Sequence, residues 1–419
     1  MGRLEKFTLE NGLRVVVDTD MSTSMVSMCL AYDVGARDED PHRTGFAHLF
    51  EHLMFGGSIN IPSYDAPLER AGGTNNAYTT QDLTCFHCQV PWENLEVAFW
   101  LESDRMLSLA FTPESLEVQR SVVVQEFKQV ALNAPYGDVQ HLLHGLLYKE
   151  HPYQWPTLGK NVAHIEGASM EEVKAFFYSH YAPNNAALAL SGHVEAAEVR
   201  RLAEKWFGPI ERRAVVPRNL PIEPQLEAQR RQRVQRPVPC DAVFVAFPMV
   251  GLMDSQFSTY DLLSDILANG ESARLNRRLR EERQLFAEID ATVSGLVDPG
   301  FFLVSGVLHD GVSIEEGERA IYEELEQLQD VTEEELHKVQ LKFAATRVFE
   351  RLSSLIRAES YSRYELLGGA ARWDAEVGLR QEVTLEALKK VVQERFVESR
   401  SVVLEYAAGE KESENGGAE

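Results

Sequence analysis

The chain has 419 residues, 44% hydrophobic and 25% charged, a globular composition long enough for two to three domains. Its formal net charge of −24 argues against a nucleic-acid or anionic-membrane surface and suits basic or neutral partners. Four cysteines (Cys29, Cys85, Cys88 and Cys240) make no disulfide framework in so long a chain, so a reducing, cytoplasmic setting is the default. No stretch reaches the roughly 18 apolar residues of a membrane span, and MGRLEKFTLENGLRVVV has no apolar signal core.

Leu4 to Asp18 reads as a hairpin turning at Asn11-Gly12, and Met25 to Val34 as a core strand. A polar loop leads to Thr44–Gly57, TGFAHLFEHLMFGG, which reads as one helix. Phe46, Leu49, Phe50, Leu53 and Met54 recur at helical spacing, and Gly56-Gly57 stop it. His48 and His52, four apart, leave one face of that helix, and Glu51 sits beside them. Two imidazoles and a carboxylate are what catalytic zinc uses, with water in the open position. A carboxylate that does not bind the ion can take a proton from that water. The pattern His-x-x-Glu-His is the inverted zincin motif. The structural alternative is a pair of histidines on a half-buried helix.

A short helix follows at Ser63 to Ala71. Gly72 to Thr80 reads as a plain turn before the strand Leu83 to Val90, and Cys85-Phe86-His87-Cys88 as strand residues rather than a metal clip. Trp92 to Ser108 is a helix, and Thr112-Pro113 starts another that runs to about Leu132. In that helix Glu126, close behind three valines, is either the edge of a buried face or a group held by something. Tyr136 to Lys149 and Ser169 to Tyr178 are helices, Asn184 to His193 a strand, and Ala196 to Phe207 a helix. Pro209 to Pro239, rich in Pro and Arg, reads as an extended linker solvated by charge.

After it the order of elements roughly repeats. Strands are expected at Ala242 to Phe247, Ala287 to Leu296, Gly300 to Val307 and Val402 to Tyr406. Helices are expected at Phe257 to Ala268, Ser313 to Gln329, Thr332 to Leu367 and Val383 to Phe396, with an arginine-rich one starting near Arg274. The expectation is an α+β fold of two homologous domains, each an antiparallel-rich sheet covered by helices. The domains would be 1–208 and 240–408, joined by a 209–239 linker, with a disordered acidic tail at 409–419.

Taken together, these features resemble the pitrilysin and insulysin type of inverted zincin, in the branch of the mitochondrial processing peptidase β subunit and its bacterial relatives. The resemblance spans nearly the whole chain. It rests on HLFEH at 48–52 with the following MFGG, on GTNNAYT at 73–79, on Arg120 to Glu126, on His151-Pro152-Tyr153 and on Tyr181 to Asn185. It implies a zinc endopeptidase with one Zn2+ per chain held by His48, His52 and Glu126, and with Glu51 as the catalytic base. It implies a peptide substrate inside a clamshell of two such chains, added as an extended strand near Asn76 and Ala77. Two positions depart from the family pattern. Gln119 stands where a second Glu is common, two turns before Glu126. Arg280 matches a substrate-gripping Arg, but Ala287 replaces the Tyr that usually accompanies it. The resemblance therefore points to a homodimer, or to a heterodimer with a non-catalytic chain of the same fold. The alternative is a non-catalytic structural or assembly subunit.

Overall fold

The computed structural model describes residues 4–409. The disordered tail expected from residue 409 lies, but for Gly409, outside the described residues. The fold is α+β, built on two sheets. In chain order the strands are β1 Leu4–Thr8, β2 Arg14–Thr19, β3 Met25–Tyr32, β4 Thr74–Thr79, β5 Thr84–Pro91 and β6 Ala186–Gly192. The rest are β7 Arg230–Arg236, β8 Ala242–Pro248, β9 Phe286–Ser294, β10 Phe301–Leu308 and β11 Val402–Ala408. The first sheet runs β1-β2-β6-β3-β5-β4 and the second β7-β11-β8-β10-β9. Without β1 the two orders are the same. In each, one parallel pair (β2 with β6, β7 with β11) is followed by antiparallel neighbours. The repeat read from the sequence is therefore a repeat of topology.

The chain forms two compact units that do not follow its sequential halves. One holds the residues up to Gln129, His151–Pro221 and Ala345–Glu376. The other holds Val130–Glu150, Ile222–Ala344 and the residues from Val377 onward. Each sheet is thus covered on one face by a helix from the other half of the sequence. The helix Val139–Leu147 packs on β8 and β11. The helix Ser354–Leu366 packs on β2, β3, β5 and β6. Strand alternation explains the fit in the first unit. Val26, Met28, Leu30 and Tyr32 face the main core, while Cys29 and Ala31 turn back with Cys85 toward Ala358. The four cysteines are free thiols.

Several expected elements differ in extent. The motif helix is shorter, Phe46–Leu53, because Gly45 at φ 88° starts it and a turn at Met54 ends it. Gly72 to Thr80 is not a plain turn, since Thr74–Thr79 is an edge strand paired to β5. Its polar composition hides it, since none of its six residues is buried. The stretch Thr332 to Leu367 is two helices, Glu333–Glu350 and Ser354–Leu366, and a helix at Arg372–Gln381 was not foreseen.

The Pro/Arg-rich stretch is not a solvated linker throughout. Arg213 donates to the carbonyls of Met106 and Leu107 at 2.9 and 2.7 Å, and Arg218 pairs with Asp33 at 2.8 Å. Arg230–Arg236 is β7 itself, where Arg231 and Arg233 pair with Glu405. Arginine forks find carboxylates that a composition count cannot place. Among the described residues no helix is long and apolar enough to cross a membrane.

Arg357 ties the covering helix to the first sheet. Its Nε donates to Asp18 at 2.7 Å and to Ser191 at 2.9 Å, and its Nη2 to Asp20 at 2.8 Å. Asp18 is buried, so removing its partner strands a charge. Arg357→Met should lower unfolding free energy by about 3 kcal/mol in urea melts. Adding Asp18→Asn should return part of that loss, and strict additivity would refute the coupling. In the second unit Arg274 forks onto Glu335 with two 2.7 Å bonds, and with the Thr332 amide it holds that carboxyl down at about 2. A folded pKa below the unfolded value gives stability that is present above about pH 4.5 and lost as pH falls toward 2. Glu335→Gln should therefore lower the melting temperature at pH 7 and leave it unchanged at pH 2.

Candidate metal centre

The motif helix Phe46–Leu53 buries Phe46, Leu49, Phe50 and Leu53, each worth roughly 1.5–3 kcal/mol of burial. Phe50 stacks on Phe176 and Tyr181 with centroids 5.2 Å away in both cases. That packing turns His48 and His52 to the side facing a second helix, Pro113–Phe127, which carries Glu126. Thr112 caps the second helix by accepting from Ser115 N–H, with Pro113 at its first position.

The structure brings His48, His52 and Glu126 together. Their ligand atoms lie within 4.8 Å of one another. Glu126 Oε2 is 3.6 Å from His48 Nε2 and 3.4 Å from His52 Nε2. The two imidazoles meet edge to face with centroids 4.9 Å apart. A tetrahedral ion with bonds of about 2.0–2.2 Å sets its ligand atoms about 3.4 Å apart, so these residues fit such an ion. The donor set, two imidazole nitrogens and a carboxylate, suits a divalent metal of zinc's type. Burial pushes His48 below the usual imidazole range, which favours the neutral form a metal requires. The hydrogen bond from His52 holds Glu126 below the usual carboxylate range. His48 Nδ1 is buried without a hydrogen-bond partner among the described residues.

Glu51 lies beside this cluster, and its Oε2 accepts from Thr79 Oγ1 at 2.7 Å. Thr79 ends β4, and its part in the site was missed from sequence. The only signal was its place at the end of GTNNAYT. Thr80 N–H bonds Leu83 O, so antiparallel alternation turns the main chain of Asn76 and Tyr78 toward β5. The main chain of Asn75, Ala77 and Thr79 then faces the open edge of the sheet. Asn76 and Ala77 are thus both on the edge strand, but only Ala77 offers main-chain groups there. The Asn76 side chain already accepts from Ala77 N–H at 2.9 Å.

Gln119 lies near Gly56, its Nε2 3.7 Å from where a Cβ on that glycine would stand. Among the described residues no hydrogen bond joins it to His48, His52 or Glu126. Arg280 is exposed in the π-helical segment Asn276–Glu282 of the other unit, and Ala287 is in β9. The second repeat's counterpart of the motif helix, Phe257–Ala268 between β8 and β9, has no histidine.

A two-sheet α+β repeat with this three-donor cluster in its first unit defines a class whose members are known. The sequence pattern described as Insulinase (Peptidase family M16) matches residues 14–161, and that described as Peptidase M16 inactive domain matches residues 167–343. The chain belongs to peptidase family M16. It is 27% identical over 372 residues to the zinc protease PqqE of Helicobacter pylori, covering 86% of this chain and 83% of that protein. It is 28% identical over 206 residues to the mitochondrial-processing peptidase subunit beta of Caenorhabditis elegans, covering 48% and 44% of the two chains. The crystal structure of a protease from Helicobacter pylori superposes with a TM-score of 0.91 at 24% identity, covering 97% of this chain and 100% of that one, which shows the shared fold.

Equilibrium dialysis of metal-free protein against zinc should give about one ion per chain. If Glu126 is a direct ligand, its loss should exceed the 10–100-fold typical of outer hydrogen-bond partners, so Glu126→Ala should weaken zinc by more than about 100-fold. Unchanged affinity would remove Glu126 from the site.

Proposed function

We propose that this chain is a zinc endopeptidase, with His48, His52 and Glu126 holding the ion and Glu51 acting as general base. The observation that carries the reading is the convergence of three ligand atoms within 4.8 Å on two packed helices, with Glu51 beside them. The printed names of relatives as zinc proteases support it. Zinc held by these residues supplies Lewis-acid activation of a water, lowering its pKa toward neutrality.

The rest is done by the chain's own groups. Thr79 fixes one oxygen of Glu51 and leaves the other to take the proton of the attacking water. Glu51 then delivers that proton to the departing amine. An extended peptide adds to the open edge of β4, bonding the main chain of Ala77 and displacing the Asn76 side chain from Ala77 N–H. Main-chain pairing holds a substrate without reading its sequence, which fits peptides or unfolded segments as the substrate class. Arg280 is a further substrate contact in this reading. The absence of a tyrosine at position 287 points to a second chain of the same fold, identical or non-catalytic, that completes the site. Gln119 tunes the charge around the ion less than a Glu would.

The deciding experiment compares wild type with Glu51→Gln for zinc content and for cleavage of unstructured peptides. The variant should keep its zinc and lose turnover by at least about 100-fold. Equal cleavage by both proteins would refute the base assignment. Wild type without zinc would favour the non-catalytic subunit. Thr79→Val should retain zinc and cut kcat by about tenfold with little change in KM.

A further inference from the structure

The motif helix has no capping side chain of its own. It begins at Gly45, whose left-handed φ of 88° leaves nothing to reach back to the first amides. A side chain at that position would strike Ile165 Cδ1 at 2.7 Å, so the glycine is required by space as well as by angle. The task passes to Glu39, six residues upstream. Glu39 Oε2 accepts from Gly45 N–H at 2.8 Å, and its Oε1 from Ala47 N–H at 2.9 Å. A third donor, Trp155 Nε1–H, reaches Oε2 at 2.9 Å. Glu39 is 5% exposed and Trp155 1%.

The same carboxylate belongs to a buried frame that leads to Glu51. The Trp155 carbonyl accepts from Gln81 Nε2 at 2.7 Å. Gln81 and Asp82 form the turn after Thr79, and Asp82 bonds Tyr153 and Arg37. Ala36 and Arg37 amides donate to the Thr80 and Gln81 carbonyls at 3.1 and 3.0 Å. The start of the helix that carries His48 and His52, and the strand end whose Thr79 holds Glu51, are therefore anchored to one another.

That anchorage matters because His48 lacks the usual support. A ligating histidine normally donates its other ring N–H to a partner that orients the ring. His48 Nδ1 has none among the described residues. Its orientation must come from the backbone of its helix.

We propose that Glu39 is a positioning residue of the metal centre, fixing the height and rotation of the His48–His52 helix against Glu126 through the helix's first amides. The inference rests on the reading that His48, His52 and Glu126 bind metal. A negative charge at a helix N-terminus also stabilises the helix dipole, but any anchored cap would do that. The two carboxyl oxygens of Glu39 accept all three donors at once, which no amide or hydroxyl at this position could do. Burial pushes the Glu39 carboxyl up to about 8 against the pull of those donors. A glutamine would set its NH2 against one of the two backbone N–H groups.

The test uses full-length protein as wild type, Glu39→Gln and Trp155→Phe. Zinc affinity is measured by competition with a chelator, and the visible spectrum is recorded with cobalt in place of zinc. Glu39→Gln should bind zinc about tenfold more weakly and shift or weaken the cobalt bands, which report ligand geometry. Trp155→Phe keeps an aromatic ring there and removes one donor, so its effect should be smaller and in the same direction. It also decides the matter if Glu39→Gln fails to fold. A variant that lowers only the melting temperature of metal-free protein, with zinc affinity and cobalt spectrum unchanged, would overturn the inference and leave Glu39 a structural cap. No zinc or cobalt binding by wild type would refute the metal reading itself, and the inference with it.

Discussion

Two imidazoles from one helix and a carboxylate from another can share an ion only if the two helices cannot slide. A functional constellation tolerates about half an ångström of error. The helices Phe46–Leu53 and Pro113–Phe127 meet that demand by different means. The second has Thr112 and Pro113 at its start and a long run of its own hydrogen bonds. The first has eight residues and a glycine where a cap should be, so it is marginal as an isolated helix. Its position is imposed from outside, by the aromatic stack on Phe50, by Glu39 and by the buried turn at Gln81 and Asp82. The geometry of the cluster is thus a property of the surrounding frame more than of the motif.

This division explains what the sequence made legible. His48, Glu51 and His52 stand out because helical spacing alone sets them on a common face. Glu126 is 74 positions beyond His52 and reads locally as a helix-surface carboxylate, and only the resemblance singled it out. Thr79 showed only as the last residue of GTNNAYT, and Glu39 not at all. Each acts through one hydrogen bond or a few across a long sequence separation, and nothing in local periodicity encodes that. The strand β4 was hidden for a related reason. No residue of TNNAYT is buried, so the strand carries no apolar alternation to read. The covering helices could not be assigned to their sheets, because each lies in the opposite half of the sequence.

The two repeats show how far topology and chemistry separate. The second sheet keeps the first's strand order and its one parallel pair. Its helix Phe257–Ala268 occupies the same place in the order, between the second and third strands, yet buries ten of its twelve residues. Its half-buried positions Asp261 and Asp265 lie four apart, but Asp261 accepts from Arg380 Nε at 2.7 Å instead of joining a ligand cluster. The fold is indifferent to which repeat carries the site.

The exchange of covering helices has a consequence for how the chain is made. The strands of the first sheet are all present once Gly192 has been synthesised, but the helix that seals their back face begins only at Ser354. At about 5–20 residues per second, those roughly 160 intervening residues take on the order of 10–30 seconds. For that interval Val16, Cys29, Ala31, Cys85 and Ala189 form an apolar strip without its lid. The two units, although they repeat one design, cannot mature one after the other.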